Sequence, residues 1–372
     1  MLPYTGDYTE HIDPEKPSLT FYSFTPRPLM RGDMYQMDDE LAALLTEAHR
    51  NIGFLEGLVT YAPNKEAFAE LMLLKECTYS RMIDYDNPDF KEVLTSRGTG
   101  KGNISPIIDL EAAYRAALNM EICAPDLSRI CGIALYRESE DNPMSVRDHQ
   151  TLWLGAKTNL KGYNPTAPDA VLPALADISV YLYNDQNTDP LIKAALVHYQ
   201  FEMIHPFERY NGIVGRIIVP MMLSDIDREA KLLICLSEYL YHNKNEYFDL
   251  LRSTQYSGGY IRWIKFFVNA VGEVAKKSAK LMTQYERIIA LDEHRLTEIG
   301  KSTKSIFEIY NYLKDTPITT ITVAERSLGF SFNTVSKLFH SLQGYGIVEC
   351  HLPSYRNRVF RYSELENLIC AD

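Results

Sequence analysis

Cysteine is scarce and shows no pairing pattern: Cys77, Cys123, Cys131, Cys235, Cys350 and Cys370 are scattered through 372 residues without a CxxC spacing. That excludes a zinc ribbon or a disulfide frame and fits reduced thiols in a cytoplasmic protein. Long apolar runs are missing too. Ile217 to Leu223 falls far short of the ~20 residues a bilayer span needs and contains Pro220, so no membrane segment is expected. The opening MLPYTGDYTEHIDPEKPS lacks the basic tip and apolar stretch of a secretion signal. Basic charge is in deficit, 38 Lys+Arg against 49 Asp+Glu for a net of −11. The overall field therefore does not recruit nucleic acid, and any such contact is local. Low-complexity tracts and internal repeats are absent. What is present is an apolar fraction of 46%, enough to exclude general disorder and to fill two or three domain cores.

Apolar residues recur at helical spacing from Met37 to about Leu94, as in DDELAALLTEAHRNIGFLEGL and KEAFAELMLLKECTYSRMIDY. The glycine-rich stretch SRGTGKGNIS, residues 96–105, reads as a loop or seam. These observations divide off an N-terminal helical region, 1–105. From 106 to about 290 helices resume, interrupted between about 143 and 173 by short pieces around HQTLWLGAKTN that predict a hairpin or extended flap. From 291 to 372 the texture changes: SIFEIYNYLKD, ITVAERSLG and SFNTVSKLFHSLQGYGI read as three helices, followed by β-prone VECHLP and NRVFRY. That order predicts a winged helix-turn-helix.

Chemistry concentrates in HYQFEMIHPFERYNGIVGRIIVP, residues 198–220. An apolar helix ends at His205-Pro206, a polar turn follows, and a second helix begins near Gly212. The first amides of that helix have no intrahelical acceptors and lie at the positive end of its dipole, which suits an anion. Arg216 is one turn further on, and His205 has the chemistry of a general base. A base, an anion cradle and an arginine point to transfer of a phosphate-bearing group onto a hydroxyl. The plainer alternative is that His-Pro is a helix stop and Arg216 pairs with a surface acid. His198 and His205, seven apart, suggest one helix face, but no third ligand stands at a suitable spacing, and no metal site is expected.

The stretch resembles the motif of the Fic (Fic/Doc) family, HPFx(D/E)GNGRxxR, and AALVHYQFEMIHPF, IVGRIIVPMML, LSEYLYHNKNEYFDLL and YIRWIKFFVNAV resemble its helices in its order. VRDHQTLWLG, with Pro165 and Pro168, looks like its flap. The resemblance implies a mainly α fold with a small β-hairpin flap, a Fic core over 106–290, and a winged helix domain over 291–372. It implies transfer of AMP from ATP, or from another nucleotide donor, to a Ser, Thr or Tyr hydroxyl of a protein target. His205 resembles the base, Phe207 a core anchor, Asn211 and Gly212 the anion-hole pair, and Arg216 the arginine of the terminal phosphate. Asn243 and Tyr247 resemble the adenine-side pocket. Three positions depart: Arg209 stands at the metal-binding acid, Tyr210 at the first glycine and Ile213 at the first arginine. A guanidinium cannot ligate a cation, so Mg²⁺ in the family's manner is not expected, while Arg209 itself suits pyrophosphate oxygens or a salt bridge to Glu208 or Glu202.

The family's inhibitory helix, (S/T)xxxE(G/N), has a counterpart at about 75–85, where Ser80 and Asp84 occupy the Ser/Thr and Glu positions and Asp84 is expected to pair with Arg216. In the winged region Asn333, Ser336, Lys337 and His340 would form the DNA-facing side of the recognition helix, with Arg356, Arg358 and Arg361 on the wing. Such modules also serve as dimer interfaces, so DNA and a second copy of the chain both stand as partners. Two functions follow: a nucleotidyltransferase with an altered site, or a weak or inactive Fic scaffold that regulates through its winged helix.

Overall fold

The structure is a computed structural model describing residues 4–12, 20–31, 34–85, 88–136, 143–151, 164–223, 228–298, 304–351 and 358–371. In chain order a hairpin of β1 (Gly6–Ile12) and β2 (Thr20–Pro26) precedes α1 (Asp39–Tyr61), α2 (Lys65–Asp84), α3 (Phe90–Thr99), α4 (Ser105–Ala117) and α5 (Ala124–Tyr136). Then come α6 (Pro168–Asn184), α7 (Pro190–Ile204), α8 (Asn211–Met222), α9 (Arg228–Leu232), α10 (Leu236–His242), α11 (Lys244–Ser257) and α12 (Tyr260–Glu298). The chain closes with α13 (Lys304–Leu313), β3 (Ile318–Thr320), α14 (Ile321–Leu328), α15 (Phe332–Gly344), β4 (Glu349–His351), β5 (Val359–Arg361) and α16 (Ser363–Cys370). The fold is mainly α, as expected. Among the described residues no helix is long and apolar enough to cross a membrane.

Two compact units form: residues 1–50, 109–226 and 236–273, and residues 51–108, 227–235 and 274–372. In the first, α7 is the central helix. Asp189 caps it by accepting from the Leu191 amide at 2.9 Å, Pro190 sits at its first turn, and every side chain from Ala194 to Ile204 is buried. A helix buried on all sides is a core helix. The Trp263 indole of α12 donates to the Ala195 carbonyl at 2.8 Å, and Tyr199, Tyr247, Tyr260 and Phe267 complete an aromatic wall beside α7.

The N-terminal hairpin is a finding that the helical reading of the sequence did not include. β1 and β2 are antiparallel, with Gly6 opposite Pro26 and Ile12 opposite Thr20. β2 is held on its other side by Asn164, whose carbonyl accepts from the Phe24 amide at 3.1 Å and whose side-chain amide donates to Tyr22 O at 2.9 Å. The flap hairpin falls mostly on residues 152–163, outside the described residues.

In the second unit α2 is buried along most of its length, and α3 starts with a capping box between Asp89 and Glu92. Gly98 of α3 lies so close to β3 that a Cβ there would meet the Ile318 carbonyl oxygen at 1.5 Å, so this helix needs glycine at that turn. β3 follows α13, and after α14 and α15 the strands β4 and β5 complete a three-stranded antiparallel sheet of order β3-β5-β4, in which Arg361 lies opposite both Ile318 and Glu349. Phe339 of α15 stacks on Phe360 of β5, ring centroids 4.3 Å apart, and joins helix to sheet. Arg356 lies outside the described residues.

Candidate functional site

The turn between α7 and α8 is strained at both ends. His205 terminates α7 with φ 52° and Tyr210 precedes α8 with φ 66°, and among the described residues these are the non-glycine positions with positive φ. The left-handed region costs an L-residue roughly 1–2 kcal/mol. Strain of that order persists only where the surroundings over-determine the backbone. Here they do. The Phe207 amide donates to Asn211 Oδ1 at 2.8 Å and Asn211 Nδ2 donates to Phe207 O at 2.7 Å, a two-bond staple across the turn. Phe207 is fully buried against Phe201, so the turn is also anchored in the core.

The staple revises the expected role of Asn211. Its side chain is committed to Phe207, which leaves only its backbone amide at the start of α8 for the expected anion role. The first amides of α8, residues 211–213, have no acceptors one turn back. His205 is half-buried at the lip of this turn, and Arg209 is exposed on it. Cys131 of α5 lies under the turn with Sγ 3.6 Å from Arg209 O, and burial pushes its thiol up to about 12. It is inert packing and not a nucleophile.

His198 and His205 do not share a face. His198 is inside α7, fully buried, its Nδ1 2.8 Å from Gly215 O and its Nε2 2.9 Å from the Tyr247 hydroxyl. Gly215 O only accepts, so the proton is on Nδ1 and Tyr247 donates to Nε2. Burial first, and then the charge of Arg216, push the His198 pKa down to about 4 against a raising bond from Gly215 O. This is a neutral structural histidine. Tyr247, 1% exposed, is bound to it and belongs to the core and not to an open adenine pocket. Asn243 precedes α11 without capping it through its side chain, which donates instead to Tyr239 O at 2.9 Å.

Arg216 is buried one turn into α8. The Glu202 carboxylate packs against α8 at Gly215, where a Cβ would meet Oε1 at 2.3 Å. Ser80 is buried and Asp84 exposed in α2, in the second unit. Asn333, Lys337 and His340 are exposed on one face of α15 with Ser336 half-exposed among them; the His340 Nδ1 lies 2.6 Å from Ser336 O. A cavity of about 530 Å³ lined by Met30, Met34, Tyr35, Tyr181 and Asp185 contains none of the motif residues.

Sequence reasoning missed Arg147. Its Nε donates to His205 O at 2.7 Å, and its terminal nitrogens donate to Ile204 O at 3.1 Å, His149 O at 3.2 Å and Thr166 O. Its backbone amide donates to Pro206 O at 2.9 Å. No local pattern in SVRDHQ marks it, because its acceptors come from three separate stretches of chain.

Residues 123–223 carry a Fic/DOC family domain. The chain is similar to protein adenylyltransferase fic-1 of Caenorhabditis briggsae, 38% identical over 64 residues, which is 16% of this chain and 12% of that protein. It is also similar to the probable protein adenylyltransferase aq_aa38 of Aquifex aeolicus (strain VF5), 28% identical over 113 residues, 30% of this chain and 31% of that one. The matches thus span less than a third of these relatives. The fold is similar to that of a Fic family protein from Desulfovibrio desulfuricans G20, with a TM-score of 0.55 at 17% identity over 88% of this chain and 97% of that one.

Proposed function

We propose that this chain is a nucleotidyltransferase of the Fic type that transfers AMP from ATP to a protein hydroxyl and that its phosphate site works without the family's metal. The observation that carries the reading is the stapled, left-handed turn that joins His205 at the end of α7 to the first amides of α8. Support comes from the similarity to protein adenylyltransferases. In the reaction His205 takes the proton of a Ser, Thr or Tyr hydroxyl, the oxygen forms a bond to the α-phosphorus, and the bond to pyrophosphate breaks. The α8 amides and the charge of Arg216 oppose the negative charge that builds on the phosphate.

The donor set does not fit Mg²⁺. The position that would present a carboxylate presents Arg209, a cation with no acceptor. Arg209 instead supplies planar donors to phosphate oxygens. Isothermal titration with ATP tests this. The wild type is expected to bind equally in EDTA and in Mg²⁺. Arg209→Glu is expected to bind about 10-fold more weakly in EDTA, the worth of one charge-assisted bond, and to regain affinity when Mg²⁺ is added. Absence of binding to the wild type in both buffers would remove the proposal.

A second reading rests on the second unit, where three helices and a β3-β5-β4 sheet leave Asn333, Lys337 and His340 exposed on α15. We read this as a winged helix that contacts DNA through α15. Lys337→Ala is expected to weaken duplex binding and lower its log–log salt slope by about 1, the signature of one lost phosphate contact. Binding that is absent at low salt dismisses this role.

A further inference from the structure

The two carbonyls at the end of α7, Ile204 and His205, have no acceptor role left in their own helix, and both are taken by Arg147 from outside it. The same guanidinium reaches His149 O and Thr166 O, near the facing ends of the two described stretches 143–151 and 164–223. Those ends are tied further: Gln150 Nε2 donates to Pro165 O at 2.9 Å, and Thr166 Oγ1 donates to Phe24 O of β2 at 3.1 Å. A cation at a helix C-terminus is also favoured by the helix dipole. Arg147 is 4% exposed, and a buried charge is tolerated only when its donors are met.

We infer that Arg147 is the positioning residue of the site: it caps α7 from outside, fixes the left-handed backbone of His205, and thereby sets where the imidazole stands. Nothing but arginine does this. Carbonyls from residues 149, 166, 204 and 205 lie in different directions around it, and only a planar fan of N–H donors reaches them together, whereas a lysine offers three donors from one point. The backbone bond from the Arg147 amide to Pro206 O closes the arrangement, so His205 is gripped through its own carbonyl and through the next residue's. The effect on transfer is indirect, because the bonds that tie Arg147 to the end of α7 go to the backbone carbonyls of Ile204 and His205. Its kinetic part rests on the proposed transferase reading, and its structural part does not.

The test uses full-length protein with ¹⁵N-labelled histidine and the variants Arg147→Lys and Arg147→Ala. Arg27→Lys is the control, since Arg27 is an equally buried arginine of the same unit whose guanidinium donates to Tyr4 O at 3.2 Å. The His205 ring resonances, assigned by their loss in His205→Asn, are expected to move in Arg147→Lys and to stay in Arg27→Lys. Label transfer from α-³²P-ATP to the protein's own hydroxyls is expected to fall about 100-fold in kcat in Arg147→Lys, as for a displacement of about 1 Å, with KM for ATP within about 3-fold. Guanidinium ion is expected to restore both readouts in Arg147→Ala. Unmoved His205 resonances in folded Arg147→Lys overturn the inference, and so does equal movement in Arg27→Lys. If both Arg147 variants unfold while Arg27→Lys does not, the residue is a structural tie and the inference is likewise overturned. A wild type that transfers no label while its His205 resonances still depend on Arg147 ends the transferase reading and leaves the positioning role standing.

Discussion

Replacing His205 with alanine is expected to lower the proposed AMP transfer by about 10²–10⁴-fold, the usual contribution of a positioned general base, with little change in ATP affinity. The separation follows from geometry. The phosphate contacts proposed for the site are backbone amides of α8 and the Arg209 and Arg216 guanidiniums, and none uses the imidazole. The polypeptide around His205 is held by its backbone: its amide donates to Phe201 O at 2.9 Å, and its carbonyl accepts from Arg147. Alanine does, however, enter the left-handed region less readily than histidine, so part of any loss in His205→Ala could be a displaced turn. His205→Asn removes that ambiguity, because asparagine tolerates the left-handed backbone and carries no titratable nitrogen. Both variants are expected to lose transfer, with the melting temperature of the asparagine variant close to that of the wild type. Retained activity in folded His205→Asn would assign the proton to another group and leave the turn as scaffold only. Measured by label transfer from α-³²P-ATP, the pair separates chemistry from backbone geometry.

Much of the site was legible because its signals are local. The apolar run from Leu191 to Ile204 announces a core helix, Pro206 announces its end, and Asn211-Gly212 announces the next start. The helical texture of 304–344 and the β-prone pieces after it were legible for the same reason. What escaped was set by distant partners. Seven-residue spacing put His198 and His205 on one face, but a left-handed residue at the helix end breaks the periodicity, and the two imidazoles face different surroundings. Asn211 reads as an anion ligand until its side chain is seen bonded to Phe207. Tyr247 reads as a pocket lining until its hydroxyl is seen bonded to His198. The hairpin of β1 and β2 escaped because β1 is exposed along most of its length and shows no alternation of buried and exposed positions. Arg147 escaped most completely, since five carbonyls contributed by residues 149, 166 and 204–206 define its role and none is predictable from its neighbours.

Acid is expected to destabilise the first unit through His198. With its folded pKa near 4 and an unfolded value near 6.5, the unfolded chain binds a proton between these limits that the folded chain refuses. Stability is therefore unaffected by this group above about pH 6.5, falls by about 1.4 kcal/mol per pH unit below it, and levels off near pH 4. The whole effect is roughly 3 kcal/mol, a large part of the stability of a typical domain. The protein offers its own reporter. Trp263 stacks on His198 at 5.9 Å and 11° between ring planes, and the other tryptophan, Trp153, can be replaced by phenylalanine so that fluorescence follows Trp263 alone. Urea unfolding of that protein is expected to lose stability between pH 6.5 and 4 with this slope. His198→Gln retains an amide for Gly215 O or Tyr247 and cannot be protonated; it costs stability at pH 7 but removes the slope due to residue 198. Equal slopes in the two proteins would mean that the buried imidazole takes up its proton without unfolding, and that the aromatic wall around α7 yields to a charge that its packing is expected to exclude.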